Sequence, residues 1–266
     1  MKSKILSLLA FLTLTAVVLN GCKSKDDNPD YSALALGTWV NTQINSAPVL
    51  TDDAFIMELL SDHTELYAIG FQLDETSKIW KENSNYTYTV VNDLIIIDGV
   101  DIFDIEYHME FKIITLNQET LIFSIPAFSI DGVEIPNPNI FTCNRVTDDF
   151  STEFTDVWYG KCTSDNTADT AFHYWEYFAD GTYNYYYQDE DEKWIKKSDN
   201  EGRYFLYGDL FVSNYSNDLI SGGTGLAYEC WNFNITGNTM IWNGLRENNI
   251  TVTYQMDKVA SPPETR

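Results

Sequence analysis

Two glutamates at matching places in the chain are its first candidates for ligand chemistry. Glu58 stands in Phe55-Ile56-Met57-Glu58-Leu59-Leu60 and Glu176 in His173-Tyr174-Trp175-Glu176-Tyr177-Phe178, each an acid inside an apolar run. In an extended chain successive side chains point to opposite faces, so Ile56, Glu58 and Leu60 share one face, as do Tyr174, Glu176 and Phe178. An inward carboxylate without a partner is costly and would call for an Arg, a Lys, a Tyr hydroxyl or a ligand donor. The candidate ligand-binding residues are therefore Glu58, Glu176, Tyr174, Trp175 and Phe178, polar anchors in an apolar wall of the kind small-molecule pockets use. The opposite register would turn both acids toward water, or toward internal hydrogen bonds.

Catalytic chemistry finds little support. His63, His108 and His173 are well separated, and there is no G-x-S-x-G, H-E-x-x-H, P-loop or G-x-G-x-x-G stretch, so no enzyme and no cofactor is expected. With 40 Asp and Glu, acid pairs at glycosidase spacing arise at any separation, so their occurrence does not point to a hydrolase. The run Asp189-Glu190-Asp191-Glu192 lacks the alternating acids and the glycine of a calcium loop and reads as a solvated tip.

Cys22 carries a more specific signal. Lys2 and Lys4 precede an apolar run from Ile5 to Leu19 that is short for a membrane span, the layout of a secretory signal. Its end, Leu19-Asn20-Gly21-Cys22, resembles the bacterial lipobox, which implies cleavage after residue 21 and acylation of Cys22 as a lipid anchor. Residues 22–30 are polar and read as a flexible tether; their Lys25-Asp26-Asp27 core resembles the signal that exports lipoproteins of Bacteroides-type bacteria to the cell surface. An outer-membrane, surface-facing location is the expectation, with the periplasmic leaflet as the alternative. Loss of the signal takes Lys and Arg from 16 to 14 against 40 acids, a formal charge of −26, which leaves no basic face for nucleic acid. Cys143, Cys162 and Cys230 remain, an odd number; three buried free thiols are expected, with a Cys162–Cys230 disulfide as the alternative.

The elements that position these residues come in two copies. Phe55 to Tyr67 aligns with His173 to Tyr185 at a constant offset of 118, the Glu, Asp, Thr and last Tyr coinciding. Gly37-Thr38-Trp39 aligns with Asp156-Val157-Trp158, Asn92-Asp93-Leu94-Ile95 with Gly208-Asp209-Leu210-Phe211, Ile113 to Phe123 with Asn234 to Trp242, and Arg145-Val146 with Lys258-Val259. Five blocks in order predict a duplication into domains 31–148 and 153–260, followed by a tail over 261–266. Asp62-His63-Thr64, Asp180-Gly181-Thr182, Asn92-Asp93, Gly208-Asp209, Asn117-Gln118-Glu119 and Gly237-Asn238 read as hairpin turns between β-branched and aromatic runs, and no helical period appears beyond the signal. The prediction is all-β, two tandem antiparallel up-and-down barrels of about eight strands each.

Gly37-Thr38-Trp39 opening a first strand, Phe178-Ala179-Asp180-Gly181-Thr182 ending an apolar run, Trp80 or Trp194 beside a Lys, and a terminal strand resemble the lipocalin-like domains of Bacteroides-type lipoproteins. That resemblance implies a small apolar or glycan-like ligand in a barrel mouth, without catalysis. The alternative is a structural module whose aromatic surface, notably Tyr174, Trp175, Tyr177, Tyr183, Tyr185, Tyr186 and Tyr187, docks a partner in an outer-membrane complex or packs between the barrels.

Overall fold

The computed structural model describes residues 31–60, 66–73, 78–82, 86–100, 104–165, 169–197, 202–216 and 226–265. Cys22, the tether and the Asp62-His63-Thr64 turn lie outside the described residues. Hairpin signals and β-branched or aromatic runs give strands nearly throughout. The first half holds β1 (Gly37–Ile44), β2 (Ala47–Pro48), β3 (Phe55–Leu59), β4 (Leu66–Leu73), β5 (Lys78–Glu82), β6 (Thr87–Val91), β7 (Leu94–Val100), β8 (Glu106–Leu116), β9 (Thr120–Ile130), β10 (Val133–Glu134) and β11 (Asn137–Arg145). The second holds β12 (Val157–Cys162), β13 (Phe172–Tyr177), β14 (Tyr183–Gln188), β15 (Trp194–Lys196), β16 (Tyr204–Tyr207), β17 (Leu210–Ser216), β18 (Leu226–Thr236), β19 (Thr239–Arg246) and β20 (Ile250–Val259).

Both sheets are antiparallel meanders whose first strand lies beside the last. Their orders are β5-β4-β3-β1-β11-β9-β8-β7-β6 and β15-β14-β13-β12-β20-β19-β18-β17-β16, with β2 on β1 and β10 on β9. Pairing β1 with β11 and β12 with β20 curls each sheet into a barrel-like form. In the second, a bridge between Thr182 and Arg203, with Tyr204 N donating to Gly181 O at 2.9 Å, ties the start of β14 to the start of β16. Nine strands therefore lie along each path where about eight were expected, and β15 continues past that closing bridge. The turn before β14 depends on Gly181 at φ +80°, a conformation that suits glycine.

Register repeats between the halves. Trp39 pairs with Met57 and Arg145, and Trp158 pairs with Trp175 and Lys258. Each indole is fully buried and donates from Nε1 to the carbonyl four residues upstream, Ala35 O at 2.8 Å and Phe154 O at 2.9 Å. Those carbonyls belong to short helices, Tyr31–Ala35 and Ser151–Phe154, that pack on the two cores. Arg145 lies 4.1 Å over the Trp39 ring and Lys258 5.2 Å over that of Trp158. A tyrosine also crosses each barrel to a backbone carbonyl: Tyr88 Oη to Leu60 O and Tyr204 Oη to Phe178 O, both at 2.7 Å.

Inward faces form two separate cores. One holds Trp39, Met57, Leu59, Ile95, Ile97, Phe111, Phe123 and Cys143, the other Trp158, Trp175, Tyr177, Phe211, Trp231, Trp242 and Met256. A third cluster joins the barrels through their outer faces, where Ala54 and Ile56 meet Leu210, Val212 and Cys230. Leu245 N donates across this junction to Thr51 Oγ1 at 2.7 Å. The rings of the β13–β14 hairpin do not form this inter-barrel core, contrary to that expectation. Cys143, Cys162 and Cys230 are all buried free thiols.

Candidate functional site

Met57, Leu59, Trp175 and Tyr177 point into the barrels, so strand alternation turns Glu58 and Glu176 outward. That register is opposite to the one that would have made the two acids interior anchors. Glu58 accepts a hydrogen bond from Thr38 Oγ1 at 3.1 Å on the neighbouring strand. Glu176 accepts from Asn184 Nδ2 at 2.7 Å and from Tyr186 Oη at 2.9 Å. Burial, then the bond to Glu176, pushes the Tyr186 phenol up to about 12. Tyr174 is likewise outside, in a cluster with Tyr159 (4.4 Å between centroids) and Trp194 (4.8 Å), while Phe178 is 36 % exposed at the turn after β13. Of the five predicted binding residues, only Trp175 reaches the interior cavity.

That cavity occupies the second barrel and measures about 230 Å³. Trp175, Trp231 and Trp242 supply ring faces, with Trp175 5.1 Å and Trp231 6.0 Å from Trp242. Tyr177, Tyr183, Tyr185 and Tyr254 complete the aromatic wall, and the polar members are Asp169, His173, Lys197, Ser213 and Glu229. Strand alternation explains why these side chains converge: His173, Trp175 and Tyr177 are every second residue of β13, and Tyr183 and Tyr185 hold the same relation on β14.

Three of the polar groups are chained. Asp169, in the β12–β13 connection, accepts from Tyr254 Oη at 2.6 Å through Oδ2 and lies 3.1 Å from His173 Nε2 through Oδ1. The other ring nitrogen, His173 Nδ1, is 2.8 Å from Tyr185 Oη. Burial pushes the Asp169 carboxyl up, but hydrogen bonds from Tyr254 and His173 outweigh it and hold the group below its ordinary value. Burial foremost, then the negative charges of Asp169 and Glu229, raises the phenols of Tyr185 and Tyr254, and hydrogen bonding to Asp169 raises Tyr254 further, so both hydroxyls keep their protons. Trp242 Nε1 is buried and finds no hydrogen-bond partner among the described residues, an unusual state for an indole donor.

Matching registers show what occupies the same positions in the first barrel. His173 corresponds to Phe55, because each stands two residues before the partner of the strand-opening tryptophan. Phe123 opposite Phe141 corresponds to Trp242 opposite Tyr254. Ile97 opposite Met109 corresponds to Ser213 opposite Glu229. Phe55 and Phe141 touch directly in the first barrel, 6.0 Å between centroids, whereas His173 and Tyr254 meet through Asp169. The polar side of the cavity thus lies where the duplicate has Phe, Ile and Met.

The chain matches no family model, no curated protein and no solved structure. Function must be read from the cavity itself.

Two further recesses lie among the described residues. One of about 730 Å³ runs between the barrels, with Asn41, Asn144, Asp209 and Asn232 among its lining residues. The other, about 640 Å³, lies beside His108 and Asp98, an exposed pair 2.7 Å apart on β8 and β7. At the acidic tip, Asp189 Oδ1 accepts from the backbone N–H groups of Asp191 and Lys193, so that carboxylate caps its own turn. Among the described residues there is no group of three or more His, Cys, Asp or Glu placed to hold a metal ion. Among them, too, no helix is long and apolar enough to cross a membrane.

Sequence reading missed His173, Tyr185, Asp169, Glu229 and Tyr254. The offset of 118 already set His173 against Phe55, and a polar residue replacing an apolar one at an equivalent strand position was the available signal.

Proposed function

We propose that this chain is a non-catalytic lipoprotein, anchored through Cys22 in the outer membrane with its barrels at the cell surface, that binds a small glycan-like ligand in the second barrel. The first barrel, whose described core is apolar, acts as support. One observation carries the reading: inside otherwise matching barrels, Ser213, Glu229, His173 and Tyr254 replace Ile97, Met109, Phe55 and Phe141 around a cavity. Buried polar groups cost stability, so polar side chains in place of well-packed apolar ones favour a use in recognition. Aromatic faces joined to a few directed polar groups suit a sugar ring, which has apolar C–H faces and a polar edge.

Native mass spectrometry of the mature protein from host membranes is the test. A ligand mass is expected on the wild-type chain and none on the double variant Ser213→Ile, Glu229→Met, which restores the first-barrel pair. Ligand-free protein in both samples would refute the reading. Replacing Cys22 by Ser tests the anchor independently, since the variant should leave the membrane fraction without detergent.

A second reading rests on the outer face of the second barrel. Tyr159, Phe172, Tyr174 and Trp194 form an aromatic cluster there, with Phe172 40 % exposed, and such a patch suits docking of an outer-membrane partner protein.

A further inference from the structure

We infer that the Asp169–His173–Tyr185 chain fixes one side of the second-barrel cavity as a hydrogen-bond acceptor, and that the cavity therefore selects a neutral, hydroxyl-donating ring the size of one monosaccharide. This rests on the ligand-binding reading above and names its ligand class.

Proton direction along the chain follows from its fixed end. Asp169 is ionised, so it can only accept, and the atom facing it on His173 is Nε2. In its neutral form His173 has one N–H, which the Asp169 carboxylate holds on Nε2, leaving Nδ1 bare. Nδ1 accepts, so Tyr185 donates its hydroxyl proton across the 2.8 Å contact. Tyr254 gives its own proton to Asp169 at 2.6 Å, and Tyr183 donates to Asn214 O at 2.6 Å. Of the four lining phenols, Tyr183, Tyr185 and Tyr254 have committed their only protons to the protein, and what those three oxygens retain is lone pairs. The Glu229 carboxylate, which accepts from Trp231 Nε1 at 3.4 Å, is a further acceptor group on the far strand.

An acceptor-rich wall with aromatic faces could serve an ammonium ion or a polyol, and the local charge distinguishes them. Lys197 lines the same cavity, and Arg246 already lies 4.2 Å over the ring of Trp231. Arg246 is not on the cavity wall, but counted with Lys197 it gives two cations to the two acids Asp169 and Glu229, so the region as a whole makes no net demand for positive charge. A neutral ligand whose donors are hydroxyls satisfies the phenol oxygens, and its C–H face covers Trp175 or Trp242. Size narrows the choice: about 230 Å³ falls below the roughly 300–1,000 Å³ of pockets for drug-sized ligands, which limits the occupant to about one ring. Asp169 is a positioning residue in this scheme, acting on the ligand through His173 and Tyr185.

The test uses the whole mature protein and two readouts. Nitrogen-15 NMR of the imidazole at neutral pH, with no ligand, should report the proton of His173 on Nε2; a proton on Nδ1 overturns the relay. Binding is then measured by calorimetry with D-glucose, D-galactose, D-mannose and N-acetyl-D-glucosamine, alongside glucosamine as an ammonium probe. For the tightest sugar, each hydroxyl is replaced by fluorine, which removes a donor and keeps the ring. At least one fluoro analogue is expected to lose tenfold or more, Tyr185→Phe should weaken the parent sugar about tenfold, and Asp169→Asn should move the His173 proton to Nδ1 with a similar loss. Equal affinity for every fluoro analogue, tighter binding of glucosamine than of the neutral sugars, or no binding of any sugar at millimolar concentration overturns the ligand class. A ligand that co-purifies from the host would in that case still uphold the broader binding reading, so the two fail separately.

Discussion

Truncating Phe154 to Ala should cost the second barrel about 4 kcal/mol, most of it from lost ring packing. The Phe154 side chain is fully buried and its ring lies 4.6 Å from Tyr177, 4.9 Å from Phe211, 5.0 Å from Phe233 and 5.4 Å from Tyr204, centroid to centroid. Removing a buried Phe costs about 3–5 kcal/mol through transfer and cavity terms, and four ring contacts keep this site clear of the lower end of that range. The first barrel supplies a natural control, because the residue four before its opening tryptophan is already Ala35, whose carbonyl serves Trp39 as Phe154 O serves Trp158. Alanine is therefore compatible with this helix end and its hydrogen bond, and what the variant removes is the side chain. Domains in this size range are stable by about 5–15 kcal/mol, so the loss is a large part of the total. Urea unfolding followed by tryptophan fluorescence measures it, with Phe178→Ala as the partner variant: Phe178 is 36 % exposed and should cost about 0.5 kcal/mol. If Phe154→Ala costs less than about 1 kcal/mol, or no more than Phe178→Ala, the packing assigned to this helix is wrong.

Tyr88→Phe and Tyr204→Phe each remove a hydroxyl bonded to a carbonyl at 2.7 Å, and each should destabilise by about 1 kcal/mol in denaturant melts; a cost at only one site would contradict their equivalence. Native protein carrying Cys22→Ser should show no fast-reacting thiols with a disulfide reagent and three after unfolding, since Cys143, Cys162 and Cys230 are buried and free and burial pushes the Cys143 thiol up. Asp169 is held below its ordinary carboxylate value in the folded chain, so its contribution is complete above that value and disappears as pH falls through the depressed one. Acid unfolding of Asp169→Asn should accordingly show a shallower dependence on pH at the low end than wild type, and identical acid limbs would refute the ionised state on which the hydrogen-bond chain depends.

Architecture was legible because turn chemistry and repeat spacing are local. Asp180-Gly181, Asn92-Asp93, Gly208-Asp209 and Gly237-Asn238 all fall at hairpins between the strands they separate. Facing was not legible. Alternation reveals an inward face only when the outward one is polar, and β3 carries Ile56 toward the other barrel while Met57 and Leu59 fill its own. β13 is ambiguous in the same way, with Trp175 and Tyr177 inside and Phe172 and Tyr174 outside. Glu58 and Glu176 drew attention as acids in apolar runs, yet their partners on adjacent strands satisfy them outside the barrel. Asp169 drew none, because one acid among 40 gains its role only when the fold brings Tyr254 and His173 to it. The cross-barrel tyrosines were invisible for another reason: their acceptors are backbone carbonyls, which no residue type marks. An available signal was overlooked at Asp131-Gly132, where positive φ at both residues turns β9 into β10 and lengthens the first barrel beyond its duplicate.

Two barrels with one frame and different interiors imply a trade between stability and recognition. The first barrel pairs Ile97 with Met109 and stacks Phe123 on Phe111 at 4.3 Å and on Phe141 at 5.3 Å. At the matching cross-strand position the second pairs Ser213 with Glu229 beside a cavity, forgoing about 1.5–3 kcal/mol for each large apolar side chain that could be buried there. Selection for stability alone would close that space, and functional sites are where such local losses collect. Ser213→Ile with Glu229→Met should therefore raise the unfolding free energy of the second barrel by about 1 kcal/mol or more after repacking costs, while removing the bound ligand. Gain of stability with loss of ligand identifies the polar pair as kept for binding. A variant destabilised by more than about 1 kcal/mol would instead mean that Ser213 and Glu229 hold the barrel together, and that the difference between the two interiors is structural.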